Sequence, residues 1–246
     1  MQDYQAPADL LKGRIIVVTG AGAGLGRAAA KAYAEHGATV ILIGRTQSKL
    51  ESCYDEIVAA GHPEPIIVVM DFATAPEGDY ANLRDRLEET FGHLDGILVN
   101  ASVLGERKSI EQTNTKSWMD LMQINVNSVF LLSKYLLGLC KLSPNDTSVI
   151  LTSSSVGRKG RAYWGAYAVS KFATEGMMQV MADELENTSN IRVNSLNPGA
   201  TNTEMRRTAY PAENPSSNPK PEEKMNAYLY LMGPDSIGIN GQAYNA

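Results

Sequence analysis

Six short runs rich in apolar residues punctuate the chain, and the first two show no alternation with polar residues. Residues 14–19 (RIIVVT), 38–44 (ATVILIG), 66–70, 96–99 (GILV), 148–151 and 191–196 (IRVNSL) are brief and rich in β-branched side chains. Such runs are expected of strands buried on both faces. The stretches between them repeat their apolar positions with helical spacing. RAAAKAYAEHG stops at Gly37, and 46–60 stops at Gly61 with Thr46 or Ser48 available as its cap. A charged, amphipathic helix covers 79–91. Residues 115–142 read as one long helix, broken or bent near Asn125, and a last helix runs from 164 to about 185. Strands alternating with helices demand parallel pairing and right-handed crossovers. The pattern therefore predicts a doubly wound parallel sheet of the Rossmann type in a three-layer α/β/α sandwich. No repeat or linker divides it, so 1–246 forms a single domain. The one shift in composition, at 206–223, brings Pro, Asn, Ser and charge, and predicts a substrate lid loop over 203–222.

Composition narrows the classes of function. The apolar fraction of 43% and charged fraction of 20% are those of an ordinary globular protein. A net charge of -5, with Arg158, Lys159 and Arg161 as the only local basic cluster, argues against nucleic acid as a partner. The opening MQDYQAPADLLKG is too polar for a signal peptide, and no apolar run approaches the ~20 residues of a membrane span. Cys53 and Cys140 fall in predicted helices and read as small core residues in a reducing compartment. A soluble, cytoplasmic protein with no membrane partner is the expectation. His36, His62 and His93 lack ligand spacing, so no metal site is expected.

The turn after the first strand reads Thr19-Gly20-Ala21-Gly22-Ala23-Gly24-Leu25-Gly26. It departs from G-x-G-x-x-G, yet its physics is the same. Missing Cβ atoms permit a tight turn and a close approach by a pyrophosphate, which the helix N-terminus then meets. The loop predicts a dinucleotide. At the end of the second strand, where enzymes preferring NAD carry an acid, the chain has Gly44 and then Arg45. A guanidinium there suits a 2′-phosphate, so NADP (NADPH) is favoured and NAD is the lesser alternative.

Tyr167 and Lys171 stand four residues apart in a predicted helix, on one face and one turn apart. An ammonium in that place favours the phenolate and brings the phenol towards a working acid–base range. Ser154 lies thirteen residues earlier, after the fifth strand, where its hydroxyl could polarise a carbonyl. Ser153 and Ser155 are alternatives for that role. Taken alone, the pair also fits a surface lysine lying over a half-buried ring.

Together these residues resemble the short-chain dehydrogenase/reductase family over nearly the whole length. The resemblance rests on the 19–26 loop, Asp71, Asn100-Ala101, Asn125, Ser154, Tyr167, Lys171 and Pro198-Gly199 in this order and spacing. The run TSSSVGRKGRAYWGAYAVSKFATEGMMQVMADE is similar to bacterial oxidoreductases of the YciK type. The resemblance implies that Tyr167 is the general acid or base, Lys171 its modulator and ribose ligand, and Ser154 the holder of the substrate oxygen. It implies that Asn125 holds a proton-relaying water and that Asp71 and Phe72 lie against the adenine. It places Asn100 and Ala101 under the nicotinamide ribose, with Pro198, Gly199 and Thr203 framing the nicotinamide. Gly20, Gly22, Gly24, Leu25 and Gly26 would receive the pyrophosphate. Two departures stand out. Ser102 replaces the glycine usual after strand four, and the chain ends at GQAYNA, short of the family's common tail, which suggests a trimmed last strand.

Several side chains carry secondary expectations. Trp118, Met119, Met122 and Phe130 suit core or subunit packing better than a ligand wall. Ala173, Gly176, Met177, Val180 and Met181 make a stripe wider than one sheet face needs, which predicts a homodimer or homotetramer. Arg158, Lys159 and Arg161 suit structural ion pairs, or an anionic substrate; Tyr163 and Trp164 are candidates for the cleft wall. The sequence thus predicts an NADP-dependent oxidoreductase interconverting a small-molecule carbonyl and a secondary alcohol. The alternatives are a non-catalytic dinucleotide sensor or scaffold, and a cofactor-retaining isomerase or lyase.

Overall fold

The computed structural model describes residues 3–246, so the first two residues of the predicted domain lie outside the described ones. Seven parallel strands form one sheet in the order β3-β2-β1-β4-β5-β6-β7. They are β1 Ile15–Thr19, β2 Thr39–Gly44, β3 Ile66–Val69, β4 Gly96–Val99, β5 Thr147–Thr152, β6 Ile191–Asn197 and β7 Ala243–Asn245. The missing alternation has a direct explanation in the core. Ile16, Val18, Val40, Leu42, Leu98, Ile150 and Leu196 point to one face. Ile15, Val17, Ile41, Ile43, Ile97, Val99, Val149, Leu151 and Val193 point to the other. On the first face pack α1 Gly24–Glu35, α2 Gln47–Ala59 and α8 Met225–Met232. On the second pack α3 Glu77–Phe91, α5 Ser128–Lys141 and α6 Gly165–Glu186.

Four details differ from the pattern. β3 is an edge strand paired with β2 alone and leaves Val69 half exposed, at 51%, so it is not buried on both faces. Thr46 occupies the N-cap of α2 without a capping hydrogen bond from its side chain. The last strand is present: β7 pairs with β6 at Ser195, Leu196 and Asn197. The 203–222 segment is not all loop; it contains α7 Glu204–Ala209 and two short 3-10 turns.

The long helix is broken where expected. It divides into α4 Thr115–Met122, a π-helical turn Gln123–Asn127 and α5, with Asn125 inside the turn. Single π turns inside α-helices often mark functional positions, because the extra residue re-aims a side chain. Strand order reverses between β1 and β4, and a cleft opens at the carboxyl ends of the strands around that switch point.

Candidate active site

The cleft has a volume of about 430 Å³. Almost every residue singled out from the sequence lines it: Gly20, Gly22, Gly24, Leu25, Arg45, Asp71, Phe72, Asn100, Ala101, Ser154, Tyr167, Lys171, Pro198, Gly199 and Thr203. Gly26 and Asn125 stand behind the wall. A Cβ on Gly26 would lie 2.3 Å from the Gly20 carbonyl oxygen and 2.6 Å from Asn100 Nδ2, so only glycine lets α1 cross the turn this closely. Gly20 itself has φ +71, in the left-handed region, and its N–H donates to the Ile43 carbonyl at 2.8 Å. The turn is thereby fixed to β2.

These residues fit a dinucleotide. The N-cap of the twelve-residue helix α1 is Ala23, without a side-chain cap, and the first turn carries no acid. Its amides and dipole therefore face the cleft with nothing anionic of the chain's own to satisfy them. At the end of β2 the cleft is lined by Arg45, Thr46 and Lys49. Arg45 and Lys49 are exposed, and neither is ion-paired among the described residues. Lys49 carried no signal of its own in the sequence; only its place one turn beyond Arg45 could have suggested it. Asp71 Oδ1 accepts from the Ala73 N–H at 3.0 Å and closes the turn after β3, beside Phe72, whose ring stacks on Tyr80.

The tips of β1, β4 and β5 are tied by hydroxyls. Thr19 Oγ1 accepts from the N–H groups of Asn100 (2.9 Å) and Ala101 (3.0 Å), and Thr152 Oγ1 donates to Asn100 Oδ1 at 3.4 Å. Asn125 uses both amide protons, on the Val103 carbonyl (2.9 Å) and Ser170 Oγ (3.1 Å), while its Oδ1 accepts from the Val103 N–H at 2.9 Å. The π turn thus pins the loop after β4 to α6. One lone pair of Oδ1 is left over.

Of the three serines, geometry separates the candidates. Ser153 is buried and donates to Glu175 Oε1 at 2.6 Å, and Ser155 does not line the cleft. Ser154 lines it beside Tyr167, and its hydroxyl favours the phenolate of that ring. Lys171 Nζ lies 5.6 Å from the centroid of the Tyr167 ring and donates to the Thr152 carbonyl at 2.8 Å. One expectation is overturned. Burial pushes the Tyr167 phenol up to about 12, only partly offset by the Ser154 hydroxyl, and the lysine does not bring it down. Burial also pulls the Lys171 ammonium down to about 8, against the pull of Glu175. At neutral pH the pair is therefore a phenol beside an ammonium, an arrangement suited to donating a proton.

Beyond Tyr167 the wall is mainly apolar and aromatic, formed by Val103, Leu104, Trp164, Met205, Ala209 and Tyr210, with Glu204 and Arg206 of the same lid segment also lining the cleft. Trp164 is buried between Tyr167 and Tyr210, with ring centroids 5.8 and 5.9 Å away. Tyr163, with φ +67, stands outside the cleft. Arg206 grips Glu213 through two hydrogen bonds and lies 3.8 Å from the Tyr210 ring centroid, Arg107 reaches the Ala209 carbonyl, and Arg161 donates to Tyr210 at 3.0 Å. Arg158 is structural, paired with Glu175 at 3.0 Å. Met119 and Phe130 face outward, while Trp118 and Met122 pack under the lid. Cys53 and Cys140 are free and buried. Among the described residues no cluster fit to hold a metal ion occurs, and no helix is long and apolar enough to cross a membrane.

A glycine-rich turn at the switch point, with a serine, tyrosine and lysine across the cleft, defines the class. The short chain dehydrogenase family profile matches residues 14–214, and the chain belongs to that family. It is 46% identical over 243 residues to the oxidoreductase YciK of Escherichia coli K12, covering 99% of this chain and 95% of YciK. A short chain dehydrogenase structure from Pseudomonas syringae has 56% identity and a TM-score of 0.97, covering 99% of this chain and 98% of that one. A short chain dehydrogenase from Shigella flexneri 2a, complexed with NADP, has 46% identity and a TM-score of 0.94, covering 97% and 99%. The protein is an oxidoreductase of this family.

Proposed function

We propose that this enzyme is an NADP(H)-dependent reductase of apolar carbonyl compounds, forming the corresponding alcohol (secondary from a ketone, primary from an aldehyde), with Ser154, Tyr167 and Lys171 as the catalytic set. The observation that carries the reading is one cleft with two chemically distinct ends. One end offers the uncapped α1 N-terminus with Arg45 and Lys49; the other offers Ser154, Tyr167 and Lys171 under an aromatic wall. The NADP-bound Shigella relative supports the choice of dinucleotide. The nicotinamide, when bound, supplies or takes up the hydride.

The chain's residues supply the rest. Arg45 and Lys49 hold the 2′-phosphate, and Asp71 and Phe72 border the adenine. Asn100, Ala101, Pro198, Gly199 and Thr203 position the nicotinamide half, and the Ser102 side chain borders the same wall. Ser154 holds the substrate oxygen beside Tyr167, which donates its proton to that oxygen as charge develops there. Lys171 stabilises the phenolate left behind and binds ribose hydroxyls. The remaining Oδ1 lone pair of Asn125 is available to a water that returns the proton from bulk. Walls of Val103, Leu104, Trp164 and Met205 select apolar substrates by excluding water from a polar carbonyl's surroundings. Outside the cleft, Phe130, Phe172 and Val180 are exposed on α5 and α6. This face supports a homodimer or homotetramer, and its buried free thiols suit a cytoplasmic enzyme.

The first experiment is a fluorescence titration with NADPH and, separately, NADH. Preference for NADPH, followed by NADPH oxidation with apolar ketones or aldehydes, supports the reading. Failure to bind either dinucleotide overturns it.

A further inference from the structure

A buried carboxylate stands next to the catalytic set and is used by none of the steps above. Tyr167, Lys171 and Glu175 follow one another at intervals of four on α6, and therefore share a face. Glu175 is 6% exposed. Its Oε1 accepts from Ser153 Oγ at 2.6 Å and from Arg158 Nε at 3.0 Å, and its Oε2 accepts from Ser195 Oγ at 2.6 Å. Arg158 carries the connection on to β7, donating to the Tyr244 carbonyl at 2.8 Å and to Asn245 Oδ1 at 2.9 Å. Asn245 Oδ1 also accepts from Asn197 Nδ2 at 2.9 Å.

We propose that Glu175 is a positioning residue for the reaction: it seats the two strand ends that carry Ser154 and Pro198-Gly199 against Lys171, and through Arg158 recruits β7 to the site. The inference rests on the reading of Tyr167 and Lys171 as the catalytic pair. Two contacts and one position on the helix argue for it. Ser153 immediately precedes Ser154, Ser195 lies three residues before Pro198, and Lys171 is one helical turn away. The strand ends are already joined by the backbone, for Ser153 N–H donates to the Leu196 carbonyl at 2.8 Å. Sheet pairing therefore does not require a buried charge here, and an apolar side chain would cost the fold less. What the carboxylate adds is a fixed place for the serine hydroxyls and a negative charge beside Lys171. The charged and titratable groups that face Lys171 are Tyr167 and Glu175 on its own helix and, behind Glu175, Arg158; β5 contributes the Thr152 carbonyl. Glu175 is the group that holds the lysine's protonation up against burial.

The test is Glu175→Gln in the full chain, with NADPH and 4-nitrobenzaldehyde as the probe. Misplacement of a catalytic group by about 1 Å costs up to about 100-fold, so kcat is expected to fall about 10- to 100-fold. The Kd for NADPH, read by fluorescence, is expected to stay within about twofold, and the alkaline limb of kcat to move to lower pH. Unchanged kcat overturns the proposal. So does a joint fall of kcat, NADPH affinity and melting temperature with the alkaline limb unmoved, which marks a merely structural residue. If Glu175→Gln does not fold, Arg158→Gln, whose side chain is only partly buried, is judged by kcat and Kd in the same way. If the wild type leaves this aldehyde unreduced, the limb is read from the pH dependence of NADPH binding, where the same acid shift supports the proposal and its absence overturns it. Tyr167→Phe separates the two readings. Full turnover in that variant overturns the catalytic pair itself, whereas its loss alongside an unaffected Glu175→Gln overturns only the role of Glu175.

Discussion

Replacing Lys171 by methionine is expected to stabilise the protein while abolishing turnover. The side chain is 4% exposed, and burial pulls its ammonium from the ordinary 10.5 down to about 8. At about 1.4 kcal/mol per pH unit, carrying that charge costs the fold about 3 kcal/mol at neutral pH. The folded value lies below the unfolded one. Between about 8 and 10.5 the unfolded chain therefore binds more protons, and wild-type stability rises with pH across that window. Below about 8 the penalty is present in full. Methionine keeps the length and helix preference of the stem and removes the charge. It leaves the Thr152 carbonyl without its 2.8 Å donor. That loss gives back about 1–2 kcal/mol. The net expectation at neutral pH is a gain of about 1–2 kcal/mol, or roughly 2–8 °C in Tm for a chain of this size. Urea unfolding of both proteins from about pH 7 to about pH 10 measures it; the mutant's advantage should hold below the lysine's titration and shrink above it. A mutant less stable than the wild type at neutral pH, or an advantage indifferent to pH, would refute the claim that this lysine is a stability cost carried for function.

Three further outcomes follow from the same geometry. Tyr167→Phe should lower kcat by about 100-fold or more with NADPH affinity nearly unchanged; equal losses in both would show a structural ring. Since Tyr167 titrates near 12 and Lys171 near 8, reduction should hold level through neutrality and decline above about 8, which a pH profile of kcat measures. Arg45→Ala removes a charge-assisted contact and should weaken NADPH about 10- to 100-fold while leaving NADH within about twofold, read by fluorescence titration. An equal effect on both dinucleotides would refute the phosphate role.

The sheet was legible because its strands are central. With helices on both faces, every position of β1 and β2 had to be apolar or small, and an unbroken run announced them. β7 had no such signature. It is three residues long, lies at the sheet edge and is half exposed, and its place comes from ladder bonds to β6 and from Arg158. No local pattern in Ala-Tyr-Asn encodes an arginine 86 positions away. Helix α8 (MNAYLYLM) was hidden for the opposite reason. It is buried nearly all round, with Asn226 its one exposed polar residue, so it shows no polar face, and so short an apolar stretch does not distinguish helix from strand. Its contact with the sheet, Ser148 Oγ donating to the Leu231 carbonyl at 2.6 Å, is long-range as well.

The site divides along the same line. Residues at a strand tip or one helical turn apart could be read directly, because the fold places every strand's carboxyl end at the cleft; the glycine turn, Arg45, Asn100, Ser154, Tyr167 and Lys171 are all of this kind. Residues that act through a neighbour could not. Glu175 looks like any acid on a helix until Ser153, Ser195 and Arg158 converge on it from three other segments. The phenol's acidity fails as a sequence argument for a related reason. Four-residue spacing brings an ammonium close, but burial of the whole pair acts on both groups at once, raising the tyrosine and lowering the lysine. Each is pushed towards its neutral form, and the cleft's own charge, Glu175 included, decides how far. The acid–base range of this pair is therefore a property of the cavity around it, which spacing along a helix does not contain.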